Sequence, residues 1–377
     1  MNATPSRRTL LGAVGLAALA GCVGGEPAST PRDGESADGD ATEPPGSSSD
    51  DASDPADGPP IADEPYHLPY GIEELRGHAI ETDARIPTID EPVFTDADGI
   101  ADDPVELEGD DVVFGVERDG VARAYPQRIL VYHEIVNDEL AGDPVAITYC
   151  PLTGTAQGFE RGDVEFAVSG WLLNSNLVMS EGTGTWWPQL PATGLDEPFA
   201  GDALSEFRLI WTSWDRWLER YPETEVLTSR TGYERRYHDD PYGGYAPRRA
   251  YYDYGGPMYD VAAEPGADSP LEEKSVVLGC RTAEGAIAFE KESLLEERIL
   301  RGELAGVEHV AVADPALATG YVYENADGRT VEADGDGTYL VDGEAFEPAE
   351  LPLDRRLAFD SMWFAWYAYY PGTELRL

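Results

Sequence analysis

Two residues dominate the chemistry open to this chain. They are Cys150, in Tyr149-Cys150-Pro151-Leu152-Thr153-Gly154-Thr155, and His133, in Tyr132-His133-Glu134-Ile135-Val136-Asn137-Asp138. With the Met179 thioether they form a soft donor set. Imidazole, thiolate and thioether together suit copper, and imidazole with thiolate suits zinc. Glu134 or Asn137 would then orient the imidazole from behind. A second chemistry makes Cys150 a nucleophile and His133 the base that lowers its pKa. In that case the backbone N–H groups of Leu152, Thr153 and Gly154 would hold an anion, with the Thr153 and Thr155 hydroxyls beside them. In a third reading Cys150 is a small buried residue at a tight turn and His133 a satisfied helix histidine. Asn174 and Asn176, in Asn174-Ser175-Asn176, complete a polar pocket if their turn faces Cys150, and otherwise cap that turn. Arg123 is a candidate for binding a carboxylate or phosphate in the same cleft; its alternative is an exposed strand face.

The elements around these residues read as a strand-rich α+β fold. Val112–Glu117 and Val121–Tyr125 form a hairpin across Arg118-Asp119-Gly120. Arg128–Asn137 reads as a helix. Val145–Tyr149, Ala156–Phe159 and Val164–Ser169 read as strands, and Gly182–Trp187 continues the sheet. Helices and strands do not alternate as a doubly wound sheet requires. The folded part also repeats itself. Val112-Val113-Phe114-Gly115-Val116 recurs as Val276-Val277-Leu278-Gly279-Cys280. Each is followed by a Gly turn and a helical stretch, ending in Glu139-Leu140-Ala141-Gly142 and Glu303-Leu304-Ala305-Gly306. Trp214, Trp217, Tyr221, Pro222 and Thr224 match Trp363, Trp366, Tyr370, Pro371 and Thr373 at one constant offset. Tryptophans three apart share one side of a helix, and Tyr-Pro stops it. Two related halves packed together are expected, at 61–227 and 276–377. Residues 228–275 form a connecting strap rich in Tyr, Gly and Arg. His133 falls opposite Glu297 and Cys150 opposite Asp314, so the chemistry-bearing residues belong to the first half alone. Cys280 falls in an apolar strand pattern and reads as a core thiol.

The runs Ala122-Arg123-Ala124-Tyr125-Pro126, His133 to Asp138, Val145 to Thr155 and Val168 to Met179, with Trp186, resemble the "domain of unknown function 3179" family over roughly residues 85 to 377. The resemblance implies no established activity. The family pattern reads Cys-Pro-Leu-Cys-Gly-Thr at the cysteine. Thr153 stands here at the second Cys, which puts a redox disulfide or paired thiolate ligands in question for this chain.

The N-terminus supplies an address. Ser6-Arg7-Arg8-Thr9 opens an apolar run that ends in Leu19-Ala20-Gly21-Cys22. Residues 1–22 resemble a twin-arginine signal with a lipoprotein box, in which Cys22 is lipidated. Residues 23–60 hold no aromatic residue and read as a disordered acidic spacer. The expected protein is therefore lipid-anchored at the cell membrane and faces outside the cytoplasm. The net charge of −47, from 73 acidic and 26 basic residues, is spread over the folded part. It reads as adaptation to very high salt, where screening shortens to about 3 Å at 1 M. It disfavours nucleic acid as a partner, because no broad basic footprint exists. Three functions are left: metal or small-ligand binding at the His/Cys site, which leads; a thiol-dependent enzyme using Cys150 and His133; and a surface interaction protein acting through the strap.

Overall fold

The computed structural model describes residues 58–82, 85–239, 241–242, 256–335 and 337–377. The expected signal with Cys22, and all of the expected spacer before Gly58, lie outside these residues, as do strap residues 240 and 243–255. Gly58–Pro60 already pack against the fold, where the Ser205 N–H donates to Pro60 O at 2.9 Å. Among the described residues no helix is long and apolar enough to cross a membrane.

The architecture is strand-rich α+β. The first hairpin joins β1 (Val112–Arg118) to β2 (Val121–Pro126). Its two turn residues, Asp119 and Gly120, have φ of 51° and 83°, the left-handed pair that suits a two-residue hairpin. α1 (Gln127–His133) follows, then a meander of β3 (Ile135–Leu140), β4 (Asp143–Cys150) and β5 (Thr155–Glu160). The hairpin β6 (Ala167–Leu173) and β7 (Asn176–Ser180) comes next. β8 (Glu206–Phe207) pairs with β5. β9 (Ile210–Ser213), α2 (Trp214–Arg220) and β10 (Glu225–Leu227) return to the first sheet, whose order is β9-β1-β2-β10 with Phe94–Thr95 at its edge. β10 lies parallel to β2.

After the strap, β11 (Val276–Arg281), β12 (Ala286–Glu290) and α3 (Lys291–Glu297) lead into β13 (Ile299–Leu304), β14 (Val307–Asp314) and β15 (Thr319–Glu324). A three-stranded sheet around Tyr339–Val341 is inserted here. Then come β16 (Asp354–Arg356), β17 (Ala358–Met362), α4 (Trp363–Tyr369) and β18 (Glu374–Arg376). Their sheets run β17-β11-β12-β18 and β13-β14-β15-β16.

Two glycines are required by close approaches to tryptophan rings. A Cβ on Gly115 would lie 2.3 Å from the Trp217 ring, and one on Gly279 would lie 2.2 Å from Trp366. The indole N–H groups then donate to Thr224 Oγ1 at 2.9 Å and Thr373 Oγ1 at 3.1 Å. One apolar cluster runs through both halves, from Phe114, Tyr149 and Trp217 to Phe359, Trp366 and Tyr369.

Three local expectations change. The helix expected over Arg128–Asn137 stops at His133, because Glu134 turns to φ 58° and the β-branched Ile135 and Val136 enter a strand. Glu139-Leu140 and Glu303-Leu304 end strands, not helices, and Ala141-Gly142 and Ala305-Gly306 make the turns. The strand expected over Val164–Ser169 runs instead from Ala167 to Leu173. The described strap residues carry no helix or strand.

Candidate functional site

Cys150 ends β4, opposite Thr155 of β5, and is 1% exposed. Its thiol points at Ser175 O, 3.7 Å away in the β6–β7 turn. That turn is Asn174-Ser175, with φ of 51° and 60°, a left-handed pair that Asn accepts more readily than most residues. Burial pushes the Cys150 thiol up to about 11, and the nearby Glu134 carboxyl adds to the rise; hydrogen bonds from Thr153 and Leu177 partly oppose it.

Glu134 is the group that α1 delivers to this thiol. Its N–H donates to Leu130 O at 2.7 Å and its carbonyl accepts from Tyr149 N at 2.8 Å. The backbone therefore turns from helix to strand at one residue. Arg298, after α3, makes a like turn with φ 72° and carries a guanidinium where Glu134 carries a carboxyl. The Glu134 side chain is buried, and desolvation pushes it up to about 8. Tyr242 of the strap donates to its Oε1 at 3.3 Å. Burial, then the Glu134 charge, hold the Tyr242 phenol well above its ordinary value. At neutral pH the thiol, carboxylic acid and phenol are all protonated. The cluster is uncharged and rich in donors, unlike the electropositive surroundings that activate a nucleophilic thiol.

His133 does not join Cys150. Nδ1 meets Pro87 O at 2.8 Å and Nε2 meets the Tyr237 hydroxyl at 2.8 Å, so both ring nitrogens are engaged on the side of the strap. Burial lowers the His133 pKa, against the Pro87 hydrogen bond, and Arg235 lowers it further. Met179 is fully buried on β7, on the face opposite Asn176 by strand alternation. Asn176 reaches the Cys150 loop, so Met179 faces away from it. Among the described residues no group of three or more His, Cys, Asp or Glu side chains is arranged to hold a metal ion. Arg123 is engaged elsewhere. It grips Asp138 with bonds of 2.9 and 2.8 Å, donates to Glu225 at 3.1 Å and stacks on Phe94.

The threonines and asparagines do meet beside Cys150. Asn176 Nδ2 donates to Thr153 Oγ1 at 3.0 Å and to Gln189 Oε1 at 2.9 Å, while its Oδ1 accepts from Leu190 N at 2.8 Å. Gln189 Nε2 continues to Thr148 Oγ1 at 2.8 Å and Thr155 O at 3.1 Å. Thr155 Oγ1 reaches Ser361 of β17 at 3.3 Å. Asn174 Oδ1 accepts from Ala262 N at 2.8 Å, which ties the turn to the strap. With this many internal partners, Thr153 and Asn176 serve chiefly to fix the loops that carry Cys150 and Ser175.

Glu134 as the central acid and Tyr242 as its cover went unrecognised in the sequence, where Glu134 figured only as a residue behind the imidazole. The signal was available in the comparison of halves, where Glu134 stands against Arg298. Cys150 and Cys280 are both buried free thiols, and Cys280, packed in an apolar cluster, is pushed up to about 12.

The chain is thus a strand-rich α+β protein that buries a thiol–carboxyl cluster. Its family model is matched over residues 83–373, and the chain belongs to the family described as "Protein of unknown function (DUF3179)". No curated protein and no solved structure matches the chain.

Proposed function

We propose that this chain is an exported, lipid-anchored protein that binds a small polar ligand at Cys150 and Glu134, beneath the tyrosine-rich strap. One observation carries the reading: a buried thiol and a buried carboxylic acid lie together, both protonated at neutral pH, with a strap phenol on the acid. Buried titratable groups with strongly shifted pKa values are costly, and they concentrate at functional sites. The ligand class is a neutral or weakly polar molecule with acceptor atoms for these donors. A thiolate-dependent enzyme is the weaker reading, because burial opposes ionisation of Cys150 and His133 bonds elsewhere.

The same proposal keeps the two related halves, at 61–227 and 276–377. Its support is the shared strand order, the parallel third partner in each sheet, and the matched Gly115–Trp217 and Gly279–Trp366 contacts. Anchoring through Cys22 rests on the signal-like residues 1–22 alone.

The test is native mass spectrometry of the full chain made in a high-salt host, with elemental analysis of the same sample. A bound species present in wild type and His133→Ala but lost in Cys150→Ser and Glu134→Gln supports the site. No bound species, or one indifferent to both substitutions, overturns it.

A further inference from the structure

A cavity of about 590 Å³ opens between the halves, away from Cys150. Its walls come from β1, β8, α2 and the first-half residue Arg208 on one side, and from β15 and β16 on the other. The volume falls within the range typical of small-molecule sites, about 300–1,000 Å³. Its charge is inverted relative to the rest of the protein. Arg118, Arg208, Arg220, Arg355 and Arg356 line it against Glu117, Glu206 and Glu350, in a chain where acids outnumber bases 73 to 26.

Several of these charges are already neutralised. Arg118 pairs with Glu160, Arg356 with Glu324, and Glu206 with the fully buried Arg281. Arg208, Arg220 and Arg355 have no carboxylate partner among the described residues. Arg208 is the deepest of the three. Its guanidinium stacks 4.7 Å from the Tyr321 ring centroid, and Nη2 donates to Thr319 Oγ1 at 2.8 Å. Its Nε is buried and has no acceptor. A buried donor left unpaired is costly, and a ligand oxygen would satisfy it.

We propose that this cleft binds a small oxyanion, a carboxylate or phosphate group gripped by Arg208, Arg220 and Arg355. The planar guanidinium fork matches both anions bidentately. General compensation of the acidic surface would place these arginines beside carboxylates, as Arg329 sits on Asp342. Three unpaired arginines facing one cavity do the reverse. Burial lowers the Arg208 pKa from its ordinary value; Tyr321 and the Asp360 charge offset part of the fall and Arg355 adds to it, so an anion placed there supplies counter-charge that Asp360 alone does not. Molar salt screens the long-range repulsion of the acidic surface to within about 3 Å, which leaves the contacts inside the cleft to decide binding.

The test uses the full chain at constant ionic strength, titrated calorimetrically with inorganic phosphate and, separately, with citrate. Saturable binding of either anion supports the site, and the better-bound one identifies phosphate or carboxylate as the preferred head group. The exposed pair Arg220→Gln and Arg355→Gln, combined, should weaken binding about tenfold or more, since charge-assisted bonds of this kind are the strong ones. Thermal melting of the same variant without ligand should match wild type, which separates loss of binding from loss of fold. No saturable binding of either anion, or full binding by the folded double variant, overturns the proposal.

Discussion

Substituting Glu134→Gln should change the reactivity of Cys150 only at alkaline pH. The thiol, ordinarily at 9.0, is pushed up to about 11. At pH 8 its thiolate fraction is then about a hundredfold below that of an unperturbed cysteine, because only the thiolate attacks. Glu134, pushed up to about 8, is neutral below that pH and charged above it. Once charged, it opposes the thiolate across a buried gap. At an effective dielectric near 20 a buried like-charge pair of this kind is worth on the order of 1–3 kcal/mol, or about a tenfold effect or more on thiolate population. Tyr242 and Tyr369 also surround these groups, but burial holds both phenols well above their ordinary value and they stay neutral through this range. Alkylation of Cys150 by iodoacetamide, followed peptide by peptide by mass spectrometry from pH 6 to 10, measures the effect. The ratio of variant to wild-type rate should be near one at pH 6 and rise about tenfold or more by pH 9 to 10. Access to the buried thiol cancels in that ratio, and Cys280 serves as the internal control. A ratio above one that is the same at pH 6 and pH 9 would show that the substitution only loosens the packing. A wild-type Cys150 that titrates near 9 would refute the buried cluster itself.

Four further outcomes follow from the same geometry. Because the folded-state pKa of Glu134 lies above its ordinary 4.5, the native state holds an extra proton between these values, so its stability contribution is present at acid pH and declines as pH rises toward 8; Glu134→Gln should gain stability relative to wild type over that window, on the order of 3 kcal/mol by pH 7, in urea melts read as a difference. Arg281→Met strands the Glu206 carboxylate, whose side chain is 1% exposed, and should cost about 3–5 kcal/mol, largely recovered by adding Glu206→Gln. Gly115→Ala and Gly279→Ala each drive a methyl into a tryptophan ring at 2.3 and 2.2 Å, so both should lower the melting temperature strongly, with a cost of roughly 1–3 kcal/mol or more each. Tyr339→Phe removes a hydroxyl that donates to Ala313 O at 2.7 Å or Arg298 O at 3.0 Å and should cost about 1–3 kcal/mol, whereas Tyr242→Phe should leave thermal stability nearly unchanged and weaken retention of the bound species.

Much of the scaffold could be read from local chemistry. Asp119-Gly120 between alternating apolar residues specifies a hairpin, and tryptophans three apart followed by Tyr-Pro specify a short buried helix and its stop. The failures cluster where local signals conflict. Ile129 to Val136 is almost continuously apolar, and such a run satisfies the helix and the strand periods equally. The outcome is decided by a single left-handed residue, Glu134, for which no glycine gives warning. That one residue also decided the site. His133 and Glu134 are neighbours, and reversal of the chain between them sends the imidazole toward Pro87 and the carboxyl toward Cys150. The covering tyrosines are legible as a composition, but pairing Tyr237 with His133 and Tyr242 with Glu134 spans about a hundred residues, and no local rule carries that information.

On the proposal that the two halves are related, the second offers a physical control for the first. After α3, Arg298 makes the same turn as Glu134, and its carbonyl accepts from Ala313 N at 2.9 Å just as Glu134 O accepts from Tyr149 N. There the space is closed by Tyr339, whose hydroxyl sits on the carbonyls of Arg298 and Ala313. The strand end that corresponds to Cys150 carries Asp314, which caps its own turn by accepting from Ala316 N at 3.0 Å and Leu317 N at 3.2 Å. The Asp314 carboxylate and the Tyr339 hydroxyl are thus both engaged by backbone groups at that position. In the first half the same turn and strand end carry a carboxylic acid and a thiol that the turn itself does not need. The cover comes from a phenol on the strap, which has no helix or strand among its described residues, and not from a sheet strand. The turn after α3 is closed by Tyr339 and Asp314 bonding to backbone groups, with no buried thiol–acid pair among the described residues there. The cost of desolvating such a pair is what supports the proposal of a ligand at Glu134 and Cys150.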